Sequence, residues 1–118
     1  MAKSKKTEAP AKEATPAEEI FLSSNRVEIA GRLTVDPELR YTPSGKAVCR
    51  MRVATNDTRV AEFHSVVAWE DDAEMAAERL TKGSALYIEG RLQTRTWDAQ
   101  DGSKRRATEI VATSLRLP

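Results

Sequence analysis

The chain has 118 residues, enough for one domain, and its 40% hydrophobic and 31% charged residues are typical of a globular protein. Nineteen Lys and Arg against eighteen Asp and Glu give a formal net charge of +1, which by itself points to no charged partner. Cys49 and His64 are the single cysteine and histidine, so an internal disulfide and a zinc site of Cys and His ligands are excluded. We expect no cofactor and no enzymatic activity. With no apolar run of membrane-spanning length and no secretory signal, the sequence predicts a cytoplasmic protein.

Residues 1–24 differ in composition from the rest of the chain. They are mostly Ala, Lys, Glu, Pro, Ser and Thr, with bulky apolar side chains only at 20–22. Such a segment buries too little surface to offset the entropy lost on ordering. We therefore predict a flexible N-terminal arm over 1–24 and one folded domain over 25–118. The lysines of the arm either have no binding role or make a weak electrostatic contact.

From residue 25 onward, apolar residues mostly alternate with polar ones, which is the period of a β-strand. The pattern predicts strands over 26–33, 46–55, 62–69, 84–97 and 104–115. Two prolines and a Ser-Gly pair predict a turn-rich connection over 36–45, and Asp101-Gly102 predicts a hairpin turn between the last two strands.

One short helix is predicted over 71–80. Ala73, Ala76, Ala77 and Leu80 follow helical spacing, Asp71 or Asp72 can cap the start, and Lys82-Gly83 can end the helix. The order is then three strands, one helix and two strands. It predicts an all-β protein with one short helix, a five-stranded and partly open OB-fold barrel.

Alternation sorts each strand into two faces. On 84–97, Leu86, Ile88 and Leu92 are predicted core residues. The opposite face reads Tyr87, Glu89, Arg91, Gln93, Arg95 and Trp97. Aromatic residues and arginines together on an outward face need an explanation beyond solvation.

Two neighbouring strands show a similar mixture. Phe63 and Trp69 share one face of 62–69, while Arg50 and Arg52 point away from the predicted core residues Cys49 and Met51. Aromatic rings beside a cationic track are typical of surfaces that bind single-stranded nucleic acid with little sequence preference. From periodicity alone, however, Phe63 and Trp69 fit a core position equally well.

Three segments resemble the bacterial single-stranded DNA-binding proteins, the SSB family. They are NRVEIAGRLTVDPELRYTPSGKAVCRMRVAT (25–55), EFHSVVAW (62–69) and KGSALYIEGRLQTRTWDAQDGSKRRATEIVA (82–112). The resemblance implies an OB fold that assembles as a homotetramer in the bacterial cytoplasm, associated with the nucleoid. It also implies coating of single-stranded DNA without base specificity in replication, repair and recombination.

The resemblance assigns roles to individual positions. Phe63, Trp69 and Trp97 match stacking aromatics, and Arg40, Lys82 and Arg95 match contacts to the DNA backbone. Arg50 and Arg52 line the binding surface in the family, and His64 matches a subunit-interface position. With Arg91 from the face argument, the predicted nucleic-acid-binding residues are Phe63, Trp69, Trp97, Arg40, Arg50, Arg52, Lys82, Arg91 and Arg95.

The sequence departs from the family pattern in two places. Many members carry a longer hairpin with a further aromatic where this chain has only 57–61, which leaves the DNA length bound per subunit open. The family also implies a polar linker and an acidic tip that recruits other proteins. This sequence ends at 115–118 without an acidic cluster, so we do not expect partners that depend on such a tip.

Two other binding functions fit the same fold. One is an OB-fold protein-interaction module, and the other is a primosomal accessory protein with weak DNA affinity. Three outward aromatic residues, Phe63, Trp69 and Trp97, favour the coating protein because a docking module has no need of them.

Overall fold

The structure, a computed structural model, describes residues 15–17 and 22–118. Most of the predicted arm over 1–24 lies outside the described residues. In chain order, the domain contains β1 (Val27–Leu33), β2 (Glu38–Tyr41), β3 (Ala47–Thr55), β4 (Glu62–Trp69), α1 (Glu70–Arg79), β5 (Ala85–Asp98) and β6 (Lys104–Arg116). In this part of the chain, no helix is long and apolar enough to cross a membrane.

The five longer strands form a ring in the order β1, β5, β6, β4, β3. Neighbours are antiparallel except β4 and β6, which run parallel through the pairs Val66–Ile110 and Val67–Val111. The ring closes where Arg32 and Leu33 of β1 pair with β3. The helix falls between β4 and β5. This arrangement confirms the predicted all-β fold class with one helix inside the domain.

Residues 38–41 do not form part of a connection, contrary to the prediction for 36–45. They form β2, which pairs with β3 from Glu38–Arg50 to Tyr41–Ala47. Because Leu33 pairs with Val53, the chain advances five residues from Leu33 to Glu38 while β3 advances only three, from Val53 to Arg50. β1 and β2 are thus two halves of one strand. The bulge between them spans 34–37, includes Pro37, and has two residues more than the part of β3 that faces it. The five-strand architecture is therefore kept.

The core lies inside the ring and consists mainly of small and medium apolar side chains. Cys49, Met51, Leu86 and Ile88 are buried there, as predicted. Leu92 is not: it is 46% exposed. The pairing of β1 with β5 reaches only from Arg32–Ala85 to Val27–Gly90, so Leu92 lies past the end of β1 and outside the core. There the Asn25 side chain exchanges two hydrogen bonds with the backbone of Leu92, at 2.9 and 2.8 Å.

Helix α1 begins at Glu70, directly after the last residue of β4. No side-chain hydrogen bond caps it, so the predicted caps Asp71 and Asp72 are wrong. Both lie inside the first turn, where their negative charges interact favourably with the positive end of the helix dipole. Glu70 has a φ of +54°, in the left-handed region that non-glycine residues avoid. This conformation turns the chain sharply from β4 into the helix.

Three of the four predicted helical positions face the core. Ala73, Ala76 and Leu80 are buried in it, while Ala77 is only partly buried. The helix ends at Arg79, and Lys82-Gly83 lies in the turn that follows, with Gly83 at a φ of +91°. The helix therefore ends before this pair, with Leu80, whose backbone is extended, as its C-cap, and the predicted stop at Lys82-Gly83 is wrong. Gly83 instead serves the turn into β5, where glycine adopts its conformation without steric cost.

Candidate nucleic-acid interface

The strand register brings most of the predicted site residues onto one surface. Directly paired residues point to the same side of a sheet. Four pairs join β3 to β4: Val48–Trp69, Arg50–Val67, Arg52–Ser65 and Ala54–Phe63. One pair joins β4 to β6, Val67–Val111, and three join β6 to β5: Gln93–Glu109, Arg95–Ala107 and Trp97–Arg105. All these residues lie outside the ring. We call this surface the cationic–aromatic face; its aromatic and charged members are Arg50, Arg52, Phe63, Trp69, Arg91, Arg95, Trp97, Arg105 and Glu109.

The three aromatic rings of this face are open to solvent. Phe63 is 52% exposed, and Trp69 and Trp97 are each 40% exposed. On the other side of the same strand, Val66 and Ala68 are buried in the core. The core interpretation of Phe63 and Trp69, which periodicity left open, is therefore wrong.

An arginine lies over one side of two of these rings. The guanidinium carbon of Arg52 lies 5.3 Å from the centroid of Phe63, and that of Arg95 lies 4.5 Å from the centroid of Trp97. Such a cation–π contact contributes about 0.5–1 kcal/mol at an exposed site. A nucleobase stacked on an aromatic ring contributes roughly 1–3 kcal/mol. Stacking of a base on either ring thus contributes at least as much as the cation–π contact that it would replace.

The face also contains a buried acid that the sequence did not single out. Glu109 of β6 is 5% exposed, and its Oε1 accepts a hydrogen bond from Nη1 of Arg50 at 3.3 Å. The Nε of Arg95 lies 3.5 Å from the same oxygen. An acid at one outward position of a strand looks like any solvated residue, and only the register shows that Arg50 and Arg95 flank it.

The remaining predicted cations are placed less uniformly. Arg91 lies on the cationic–aromatic face, opposite Val111. Arg40 of β2 points to the same side of the sheet as its partner Val48, but its guanidinium is paired with Glu38 at 2.6 Å. Lys82 lies in the turn after α1, where strand register cannot assign it to the face, and its backbone N–H donates to Asp36. Arg105, opposite Trp97, is a further cation that the sequence analysis did not select.

His64 lies away from this face. It points toward the inner side of the ring, and its Nε2 is 3.0 Å from Oγ1 of Thr55. With Glu28, Ala30 and Glu62 it lines a groove of about 460 Å³ beside β1. Since β1 pairs with β3 only at Arg32 and Leu33, its residues 27–31 present one strand edge without a pairing partner among the described residues.

The outward positions of β1 and the start of β5 form a second polar surface. Arg26 bridges Glu28 and Glu89 at 2.7 and 3.1 Å, and Arg116 approaches Glu89 at 3.8 Å. The hydrogen bond from Arg26 lowers the pKa of Glu28 from its ordinary value. The cross-strand pair Glu28–Glu89 would otherwise repel, so the arginines stabilise this part of the sheet.

A five-stranded ring with a helix between its third and fourth long strands, and with aromatic and cationic side chains on its outer face, is the architecture of the oligonucleotide-binding class of small β-barrels. Residues 24–118 match the model of the single-strand binding protein family. The chain belongs to that family.

Individual relatives carry the same description. The chain is 41% identical over 105 residues to the single-stranded DNA-binding protein of Neisseria meningitidis serogroup A, covering 81% of this chain and 60% of the relative. It is 46% identical over 100 residues to single-stranded DNA-binding protein 2 of Listeria innocua, covering 79% and 63%. The corresponding figures for single-stranded DNA-binding protein A of Bacillus subtilis are 46% over 100 residues, covering 79% and 58%. The chain thus spans about three fifths of the length of these relatives.

Proposed function

We propose that this chain binds and coats single-stranded DNA without base-sequence specificity, in DNA replication, repair or recombination. The observation that carries the proposal is the exposure of Phe63, Trp69 and Trp97 on one face together with arginines. Large rings left open to water lose the benefit of burial, and binding of nucleobases restores it. The names of the bacterial relatives support the same function.

The preference for unpaired strands follows from stacking. Bases in a duplex already stack on each other, so they offer no free face to a protein ring. A single strand can splay its bases onto Phe63, Trp69 and Trp97 while its phosphates meet the arginines. Every base has a π-face, so stacking does not discriminate strongly between sequences.

The proposed roles divide the site residues into two groups. Phe63, Trp69 and Trp97 stack with bases. The phosphates of the DNA backbone are neutralised by six cations: Arg40, Arg50, Arg52, Lys82, Arg91 and Arg95. Neither group supplies a nucleophile or a general base, so we propose that the domain over 25–118 acts by binding alone, at single strands in the bacterial cytoplasm and nucleoid.

We further propose that the chain acts as a homo-oligomer, with a homotetramer as the expected state. One domain offers three stacking rings, and several domains on one strand multiply modest affinities through effective concentration. The open edge of β1 can pair with a strand of a second copy, since unpaired backbone groups favour such pairing. His64 and the groove beside β1 adjoin that edge.

The test is a titration of a labelled single-stranded oligonucleotide against a duplex of the same length, at several salt concentrations. We expect the single strand to bind far more tightly, and its affinity to fall with salt by a log–log slope of about −0.7 per phosphate neutralised. Equal affinity for the two forms would contradict the proposal.

A further inference from the structure

An acid lies at the centre of a face that we propose to bind a polyanion. Glu109 is 5% exposed and belongs to β6, between β4 and β5. A buried carboxylate costs free energy unless it is paired, and here it also opposes the electrostatic attraction of DNA. Binding strength alone would not favour an acid at this position.

The carboxylate of Glu109 connects arginines from opposite sides of the face. Arg50 donates to Oε1 from β3, and to reach it the side chain crosses β4 at its pairing partner Val67. Val67 is 2% exposed although it is not part of the core cluster, so side chains of the face cover it. The stem of Arg50 therefore lies down along the sheet instead of extending from it.

Arg95 approaches the same carboxylate from β5, as an ion pair without a hydrogen bond. Its Nε is 3.5 Å from Oε1 of Glu109 and is buried without a hydrogen-bond partner, while its guanidinium covers the ring of Trp97. The side chains of Arg50 and Arg95 nevertheless remain 46% and 41% exposed. Each arginine thus has one nitrogen beside the carboxylate of Glu109 and can still offer others to a phosphate.

We propose that Glu109 is a positioning residue that sets the preference of the face for single strands over duplex. It cancels one of the two central positive charges and holds Arg50 and Arg95 against the sheet. A flexible strand whose bases stack on the face brings its phosphates down to these guanidiniums. A rigid duplex contacts only side chains that stand out from the surface, so it gains little from Arg50 and Arg95. This inference rests on the proposed function and adds the origin of its selectivity.

The test compares Glu109→Gln with Glu78→Gln, which removes the same charge from an exposed position on α1. Affinities for a single strand and for a duplex are measured over a salt series. Without the carboxylate, both arginines can extend toward a duplex. We expect the ratio of single-strand to duplex affinity to fall about twofold to fivefold in Glu109→Gln, the range of one exposed ion pair. The duplex salt slope should steepen by about 0.9 for each of the two arginines that gains a phosphate contact.

The outcomes separate the inference from the proposed function. If the affinity ratio and the duplex salt slope change no more in Glu109→Gln than in Glu78→Gln, the inference about Glu109 is overturned. If, in addition, the unmutated chain shows no preference for single strands and Trp97→Ala changes nothing, the proposed function itself is wrong.

A second variant covers the case in which Glu109→Gln does not fold. Arg50→Gln leaves Glu109 paired with Arg95. Because Glu109 holds one nitrogen of Arg50 along the sheet, we expect this change to weaken single-strand binding much more than duplex binding. An equal loss of both affinities would contradict the inference.

Discussion

The guanidinium of Arg95 lies over the indole ring of Trp97, with its central carbon 4.5 Å from the ring centroid. The two residues are two positions apart on β5 and therefore share one side of the strand. In the proposed complex a base takes the place of the guanidinium on the ring, and the terminal nitrogens of Arg95 turn to the neighbouring phosphate while its Nε stays beside Glu109. One residue pair thus contributes both the stacking and the electrostatic part of binding.

Replacing Trp97 with Ala should weaken binding of single-stranded DNA by about 1–3 kcal/mol, the usual contribution of one stacked base. Phe63→Ala and Trp69→Ala should have effects of similar size, because both rings are exposed on the same face. The measurement is the dissociation constant for a labelled oligonucleotide. Tyr41→Ala is the control: Tyr41 is an exposed aromatic residue at the end of β2, where its hydroxyl donates to Glu74 of α1. A loss of binding in the control as large as in Trp97→Ala would contradict the assignment.

Intrinsic tryptophan fluorescence should be quenched when DNA binds, because Trp69 and Trp97 are the two tryptophans of the chain and both lie on the cationic–aromatic face. Single variants Trp69→Phe and Trp97→Phe keep a stacking ring and assign the signal to the remaining indole. Each should retain part of the quenching. An emission spectrum that a saturating oligonucleotide leaves unchanged in either variant would argue against the remaining tryptophan as a stacking residue.

Replacing Glu70 with Gly should stabilise the fold by about 1 kcal/mol, since Glu70 adopts a φ of +54° that costs a side-chain-bearing residue roughly this much. The free energy of unfolding is measured by denaturant titration. Ala77→Gly, inside the same helix, should instead destabilise the protein by about 1 kcal/mol because of lower helix propensity. If both glycine variants lose stability equally, the backbone at Glu70 carries no strain.

The proposed homotetramer predicts a solution mass of about four times 13.1 kDa in light scattering. His64→Lys places a charge in the groove beside β1 and should reduce that mass. Circular dichroism checks that the variant is folded. A mass of one 13.1 kDa chain for the unmutated protein would contradict the assembly, and an unchanged mass in the variant would remove His64 from the interface.

Several features of the fold could be predicted because they are local. The alternation in β4 separates Val66 and Ala68 from Phe63 and Trp69, and the structure places the first pair in the core and the second outside. The Asp101-Gly102 turn is equally local: the N–H of Gly102 donates to the carbonyl of Ala99 at 3.0 Å.

Other features depend on where distant strands begin and end. Leu92 alternates in phase with Ile88, yet it is exposed because β1 stops pairing at Gly90. Glu109 meets Arg50 across 59 positions of sequence, through a parallel pairing of β4 and β6 that no local pattern indicates. The sequence did not predict the short strand β2, because Pro37 just before it is typical of a turn-rich connection. In the structure Pro37 belongs to a bulge.

The central claim is that single-stranded DNA binds to the cationic–aromatic face. It is tested most directly by recording amide and indole N–H resonances of the protein during titration with an unlabelled single-stranded oligonucleotide. We expect the largest shifts at the indole groups of Trp69 and Trp97 and along β3, β4 and the hairpin of β5 and β6. Shifts concentrated instead around His64 and the outer side of β1, with both indole signals unmoved, would contradict the claim.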